Sequence, residues 1–243
     1  MTHDQLERRV QFLTRYAVGL TCLLLVLIFG AFGYATTRFE VIDVERINVV
    51  EPDGRVSLVI SNAARIPGPI FGGEELPREM ASGRVGSSGI VFYNAEGTES
   101  GGLVTQTVRT DSGYSAYGKL AFDQFNQDQS VALTYADTDG QSYSGVLVYD
   151  NPSTPLIDLV HASEAFRSGS DSERTEAQAL IDGLEVAPQT QRLFAGKEGD
   201  TALLVLSDRQ GRTRIRMVVT GEGTPYLDFL DEEGNLLQRL PEQ

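Results

Sequence analysis

From Tyr16 to Thr37 the chain carries no charge, with Arg15 on one side and Arg38 on the other. These twenty-two residues, at about 1.5 Å of rise each, make a helix of roughly 33 Å, long enough to cross a bilayer hydrocarbon core. A cleaved signal peptide is the alternative, with Ala31-Phe32-Gly33 as a small-x-small site. The apolar core from Ala17 to Gly33 is longer than the usual h-region of about 7–15 residues. The reading is therefore an uncleaved signal anchor over 16–37 behind a tail over 1–15. Cys22, the single cysteine, lies inside the apolar run and reads as a small residue buried in the membrane.

The flanks orient the anchor. Arg8, Arg9 and Arg15 precede it, whereas Arg38 stands alone after it and is followed by Glu40, Asp43 and Glu45. By the positive-inside rule the N-terminus is cytoplasmic and the body extracytoplasmic, a single-pass arrangement. Leu6, Val10, Leu13, Ala17, Leu20, Leu24, Leu27 and Ala31 alternate spacings of four and three, a heptad seam that suits helix self-association. A lone amphipathic helix lying at the interface is the plainer reading.

The net charge is −14, and because the tail is slightly basic (Arg8, Arg9 and Arg15 against Asp4 and Glu7) the acidic excess lies entirely beyond the anchor. An acidic body offers no electrostatic footprint for a phosphate backbone, so no nucleic-acid partner is expected. Without cysteines the body has no disulfides, and an oxidising compartment is allowed but not demanded. No Asn-x-Ser/Thr acceptor is present, since Asn151 is followed by proline, which favours a bacterial envelope.

Along the body one unit recurs. An apolar-alternating strand is followed by an acidic residue with glycine a few positions on, and then by another strand. It stands at Asp53-Gly54, Glu96-Gly97, Asp139-Gly140, Asp208 to Gly211, Glu222-Gly223 and Asp231 to Gly234. A β-rich section over 38–153 is expected, interrupted by a Gly-, Pro- and Ser-rich loop over 62–89. A helical pair is expected over 154–188, with Thr154-Pro155 at the first start and Ser170 with Glu173 as a capping box at the second. The apolar face of the second helix is Ala177, Leu180, Ile181 and Leu184. The last section, 189–243, reads as an antiparallel meander, with Ile215, Met217 and Val219 facing inward and Arg212, Arg214 and Arg216 outward. The fold class is mainly β, built of antiparallel hairpins with a repeat-like end, an N-terminal transmembrane helix and a short helical pair; a regular β-solenoid is the alternative.

The candidate chemistry is thin. Asp137-x-Asp139-Gly140 resembles part of a calcium loop, but Tyr135 stands where an acid is needed, and a hairpin turn is the default. Asp123, Asn126 and Asp128 offer oxygen ligands without a recognisable spacing. His161, near Asp158, has neither a nucleophile elbow nor a second histidine beside it. Gly72-Gly73 and Gly101-Gly102 lack the strand-then-helix context of a phosphate loop. No catalytic residue, metal ligand or cofactor is assigned, and the ligand-binding residues are left open. The Tyr- and Gln-containing middle (Tyr93, Gln106, Tyr114, Tyr117, Gln124, Gln127, Gln129, Tyr135, Tyr143, Tyr149) suits stacking on a sugar or anchoring a partner. Half-buried strand tyrosines are the plainer reading.

Four stretches, ERINVVEPDGRVSLVISN from Glu45, GIVFYNAEGTESGGL from Gly89, FDQFNQDQ from Phe122 and the terminal meander, resemble an uncharacterised bacterial group of single-pass membrane-anchored proteins. The resemblance covers most of the body, rests on turns and strands, and implies no activity. The expectation is thus a membrane-anchored, extracytoplasmic, β-rich interaction or scaffold protein that binds a protein partner or forms a homo-oligomer. A carbohydrate or small-ligand binding module is the alternative, and a hydrolase with dispersed carboxylates comes last.

Overall fold

The computed structural model describes residues 3–31, 38–76, 84–183 and 189–242. The chain divides into two compact units, Met1–Asp43 and Val44–Gln243.

Among its described residues the first unit holds one helix, α1 (His3–Ala31). Over His3–Leu27 it is long and apolar enough to span a membrane. It begins inside the stretch expected to be a separate tail, so the heptad seam from Leu6 to Leu27 lies on one uninterrupted helix. Residues 32–37 of the expected anchor lie outside the described residues. The hydroxyls of Thr14 and Thr21 donate to the carbonyls of Val10 and Ala17, each at 2.9 Å. Those internal bonds satisfy polar groups that lipid would leave unpaired.

The second unit is organised by one sheet. Its strands are β1 (Arg46–Val50), β2 (Val56–Ser61), β5 (Ser88–Tyr93), β6 (Glu99–Thr110), β7 (Gly113–Asp123), β8 (Gln129–Thr138), β9 (Gln141–Asp150), β10 (Thr190–Glu198), β11 (Thr201–Ser207), β12 (Thr213–Val219), β13 (Pro225–Leu230) and β14 (Leu236–Leu240). Between β2 and β5 lies a small separate hairpin, β3 (Ile70–Phe71) and β4 (Glu74–Glu75), turned at Gly72-Gly73. The twelve strands of the main sheet pair in chain order and antiparallel throughout, so the two β sections form one meander rather than a solenoid. Helices α2 (Leu156–Ser168) and α3 (Asp171–Gly183) are inserted between β9 and β10.

The repeated turn explains why the chain folds back so regularly. In five-residue turns opening at Glu51, Asn94, Asp208, Thr220 and Asp231, the fourth residue is a glycine at positive φ. Its N–H donates to the first carbonyl, while the first N–H donates to the fifth carbonyl at 2.8–3.0 Å. Where the first residue is Asn94, Asp208 or Asp231, its side-chain oxygen also accepts from the third and fifth amides. The acidic-then-glycine unit is therefore a backbone device. The capping box of α3 forms as expected, Ser170 N donating to Glu173 Oε2 at 2.7 Å. Pro155, however, occupies the N-cap of α2 rather than its first turn. On α3 Ala177 is buried, and Leu184 lies outside the described residues.

Register gives the sheet two unlike faces. On the inner face one row runs Asn48, Val59, Val91, Gly102, Ala121, Ala132, Leu147, Phe194, Val205, Arg216, Asp228 and Arg239. Its first part is a buried core, with Ile66 and Ile70 of the loop packed on Val59, Val91 and Tyr93. Phe71 and Leu76 join Val160 of α2 in a second cluster. Phe194 covers its own part of the row: its ring lies over Gly145 and Gly196, where a Cβ would stand 2.4 and 2.9 Å from it, and Tyr143 stacks on it at 5.0 Å.

This register reverses the expected inside of β12. Val218, Arg216 and Arg214 share the inner face, whereas Met217 and Val219 are about half exposed on the outer one. The arginines stay inside because a carboxylate meets them. Arg239 grips Asp228 with two bonds of 2.6 and 2.9 Å, and Arg216 adds a third of 2.7 Å.

On the outer face two adjoining rows are apolar from one edge of the sheet to the other. One row reads Ile47, Ile60, Ile90, Leu103, Leu120, Leu133, Val146, Ala195, Leu204, Met217, Leu227 and Leu240. The row beside it runs from Val49 and Leu58 to Ile215 and Phe229, and only Gly101 and Gln238 in it lack an apolar side chain.

Candidate functional site

Where β5, β6 and β7 pass beneath the 62–76 segment and α2, the inner face opens a cavity of about 340 Å³. Its floor is Val91, Gly102, Val104 and Ala121 with Tyr117, Lys119 and Asp123. Phe71 and Leu76 of the loop and Leu156 and Val160 of α2 stand over it, with Arg84, Glu99, Asp128 and Gln129 at the sides. The floor is flat because β6 carries glycine where β5 crowds it: a Cβ on Gly102 would stand 2.6 Å from the Ile90 carbonyl oxygen.

The cavity concentrates charge that the fold has largely removed from water. Glu99 is only 8% exposed, and Arg84 Nη2 donates to its Oε1, while Oε2 is buried with no partner among the described residues. Burial pushes the Glu99 carboxyl up, and Arg84 pulls it back only in part. Burial also works against the Arg84 charge, but Glu99 outweighs it and holds the guanidinium above its usual range. Asp123 has no side-chain hydrogen bond among the described residues. Burial first, and then the nearby charges of Glu99 and Asp128, push its carboxyl up to about 7. Lys119 donates to Gln129 Oε1, and burial pulls its ammonium down against the opposing pull of Asp128 and Asp123.

The turn after β7 that carries Asp128 is fixed from both sides. Gln127 Nε2 donates to the Thr154 carbonyl, the Leu156 amide donates to the Asn126 carbonyl at 3.2 Å, and Asn151 Nδ2 donates to the Asp128 and Gln129 carbonyls at 2.9 and 3.1 Å. The arrangement presents acceptors at Glu99 and Asp123, a cation at Lys119 and an aromatic ring at Tyr117 against an apolar wall. It suits a small molecule with a polar end and an apolar body.

Of the residues singled out in the sequence, Tyr117, Asp123, Asp128 and Gln129 come together here. Tyr93 is buried, its hydroxyl without a partner among the described residues. Tyr114 and Tyr135 lie toward the opposite end of the strands, both bonded to Asp137, at 2.9 and 3.3 Å. Asp137 and Asp139 accept from the Gly140 and Tyr114 amides at 2.9 and 2.8 Å, so the calcium-like cluster is a hairpin turn, and no metal-holding group of three occurs among the described residues. His161 is exposed on α2. Arg84, Glu99 and Lys119 carry no chemical motif; the signals near them are the stretch GIVFYNAEGTESGGL, which contains Glu99, and FDQFNQDQ just after Lys119.

The second candidate surface is the outer sheet face. Leu133, Met217 and Phe122 on it are 55%, 50% and 53% exposed, and among the described residues no element covers them.

Fold and surfaces together define a class: an antiparallel meander protein with one charged cavity and one bare apolar face, carried by a chain that opens with a helix able to span a membrane. No family model, curated protein or solved structure matches the chain.

Proposed function

We propose that this chain is a membrane-anchored interaction or scaffold protein that docks a protein partner on the outer face of its sheet. The observation that carries the reading is the face itself. Two adjoining rows without a charged residue cross the entire sheet, an expanse well beyond the scattered apolar residues normal on a soluble surface. The α1 helix supports anchoring, and the arginine excess before the apolar run supports a cytoplasmic N-terminus with the body on the other side. Full-length chain recovered from gently solubilised native membranes tests the reading against the double variant Leu103→Arg/Leu133→Arg. A stoichiometric protein partner present with the first and lost with the second, at unchanged far-UV circular dichroism, is expected. A partner kept equally by both contradicts it.

The cavity favours a second reading, a small-ligand module. Glu99 Oε2 and the Asp123 carboxylate have no hydrogen-bond donor among the described residues, and Tyr117 offers a face for stacking. Titration with monosaccharides and with small primary amines separates the candidates. Binding lost in Tyr117→Ala and kept in Tyr114→Ala is the expected pattern, and equal loss in both contradicts a cavity site.

A further inference from the structure

We infer that the occupant of the outer face is a second copy of this chain, two sheets packing face to face into a sandwich. The inference rests on the docking reading above and names the partner it leaves open. Size is the first argument. Twelve strands at about 4.8 Å spacing and two side-chain rows span about 58 Å by roughly 14 Å, or on the order of 800 Å² per copy. Two copies bury roughly 1,600 Å², the size of a standard stable interface.

Shape and charge are the second argument. Two adjoining rows this wide and free of charge are matched by a surface equally wide, apolar and gently twisted, and the same chain supplies one. Sheets so packed lie about 10 Å apart with strands near −30°, and a two-fold axis lets each row meet its own counterpart. The acidic body disfavours the competing occupant, an anionic lipid surface, because its charge of opposite sign is missing.

The third argument is independent of the sheet. On α1 the residues Leu6, Val10, Leu13, Leu20, Leu24 and Leu27 form one heptad stripe and are exposed. Copies held in one membrane by such helices meet at an effective concentration that favours a second contact between bodies. Because both bodies are acidic, their rims repel, and added salt strengthens the pairing.

The test uses the full chain in native membranes with its single cysteine, Cys22, replaced by serine. Single cysteines are placed at Ile60, Leu103, Leu133, Val146 and Met217 along the outer row, and at Val205 on the inner face. Oxidation is expected to give disulfide-linked homodimers that peak at one or two neighbouring outer positions and are absent at Val205. Leu133→Arg, introduced with the best outer cysteine, is expected to lower the yield at least tenfold, and Leu133→Ser, which adds no charge, two- to fivefold. Homodimer at no outer position overturns the second-copy assignment. A different protein lost with Leu133→Arg while no homodimer forms overturns that assignment alone and leaves protein docking standing. Crosslinking of a photoreactive leucine at position 133 to lipid acyl chains, with no protein adduct, overturns both.

Discussion

Asp123 and Asp228 stand on the inner face of one sheet, and the fold moves them in opposite directions. Asp123 lies in the half roofed by the 62–76 segment and α2, where burial and the neighbouring Glu99 and Asp128 push it up to about 7. Asp228 lies in the half without such a roof. Bonds from Arg239 first, set against burial, and then from Arg216 hold it down at about 2. Both carboxylates are withdrawn from water, Asp228 completely and Asp123 in part. What differs is the partner. Asp228 is surrounded by three hydrogen bonds from two guanidiniums, and Tyr226 lies 4.3 Å beneath that of Arg239. No hydrogen bond among the described residues reaches the Asp123 carboxylate. One half of the face is finished by ion pairs and needs no cover. The other is covered and keeps unsatisfied groups around a cavity, the usual signature of a site rather than of structure alone.

The contrast breaks most completely at Phe194, which seals the row between the two halves. Phe194→Ala opens the space above Gly145 and Gly196 and is expected to lower stability by about 3–4 kcal/mol, seen as a lower unfolding midpoint of the full chain in mild detergent. Asp228→Ala leaves two arginines facing each other and is expected to cost about 2 kcal/mol at pH 7. That figure is discounted from a fully buried pair because both arginines are partly exposed. Its sign with pH follows from the lowered carboxyl. The contribution is present above about pH 4 and lost as pH falls through about 2, so variant and parent converge in strong acid.

Asp123→Asn sharpens the contrast with a smaller and opposite effect. A carboxyl raised in the folded state gives stability that is present below its unfolded value near 4 and lost as pH climbs to about 7. The neutral amide is therefore expected to leave stability unchanged at pH 4 and to raise it by about 1–2 kcal/mol at pH 8. Denaturant titrations at the two pH values read it directly. A loss at pH 8 means that the Asp123 carboxylate has a partner in the folded protein.

Much of the architecture was legible in the chain. The Asp-and-Gly turns announce themselves because their geometry requires a side-chain acceptor at one position and positive φ at another, and the Ser170–Glu173 box marks α3 for a similar local reason. Strand β10 was not legible. Lys197 and Gly196 dilute its alternation, and its one large inner residue, Phe194, matters only because Gly145 and Gly196 lie beneath it. The hairpin of β3 and β4 is hidden inside a Gly- and Pro-rich loop because strands of two residues each show no alternation. On β12 the rule that arginine faces out failed because Asp228, on a different strand, neutralises Arg216 from within. That pairing is a matter of register, which no single strand encodes. The cavity was the least legible of all. Arg84, Glu99 and Lys119 are far apart in sequence and have ordinary neighbours, and only pairing across β5, β6 and β7 gathers them.

The most direct test of the account asks whether the outer face is covered in the membrane. Footprinting the full chain in native membranes with a water-soluble diazirine compares Leu133 and Met217 with the buried Val91 and with exposed Leu237 at the sheet edge. The account predicts that Leu133 and Met217 label as weakly as Val91 while Leu237 labels strongly. Labelling of Leu133 and Met217 at the level of Leu237 contradicts it, because a face open to water docks nothing.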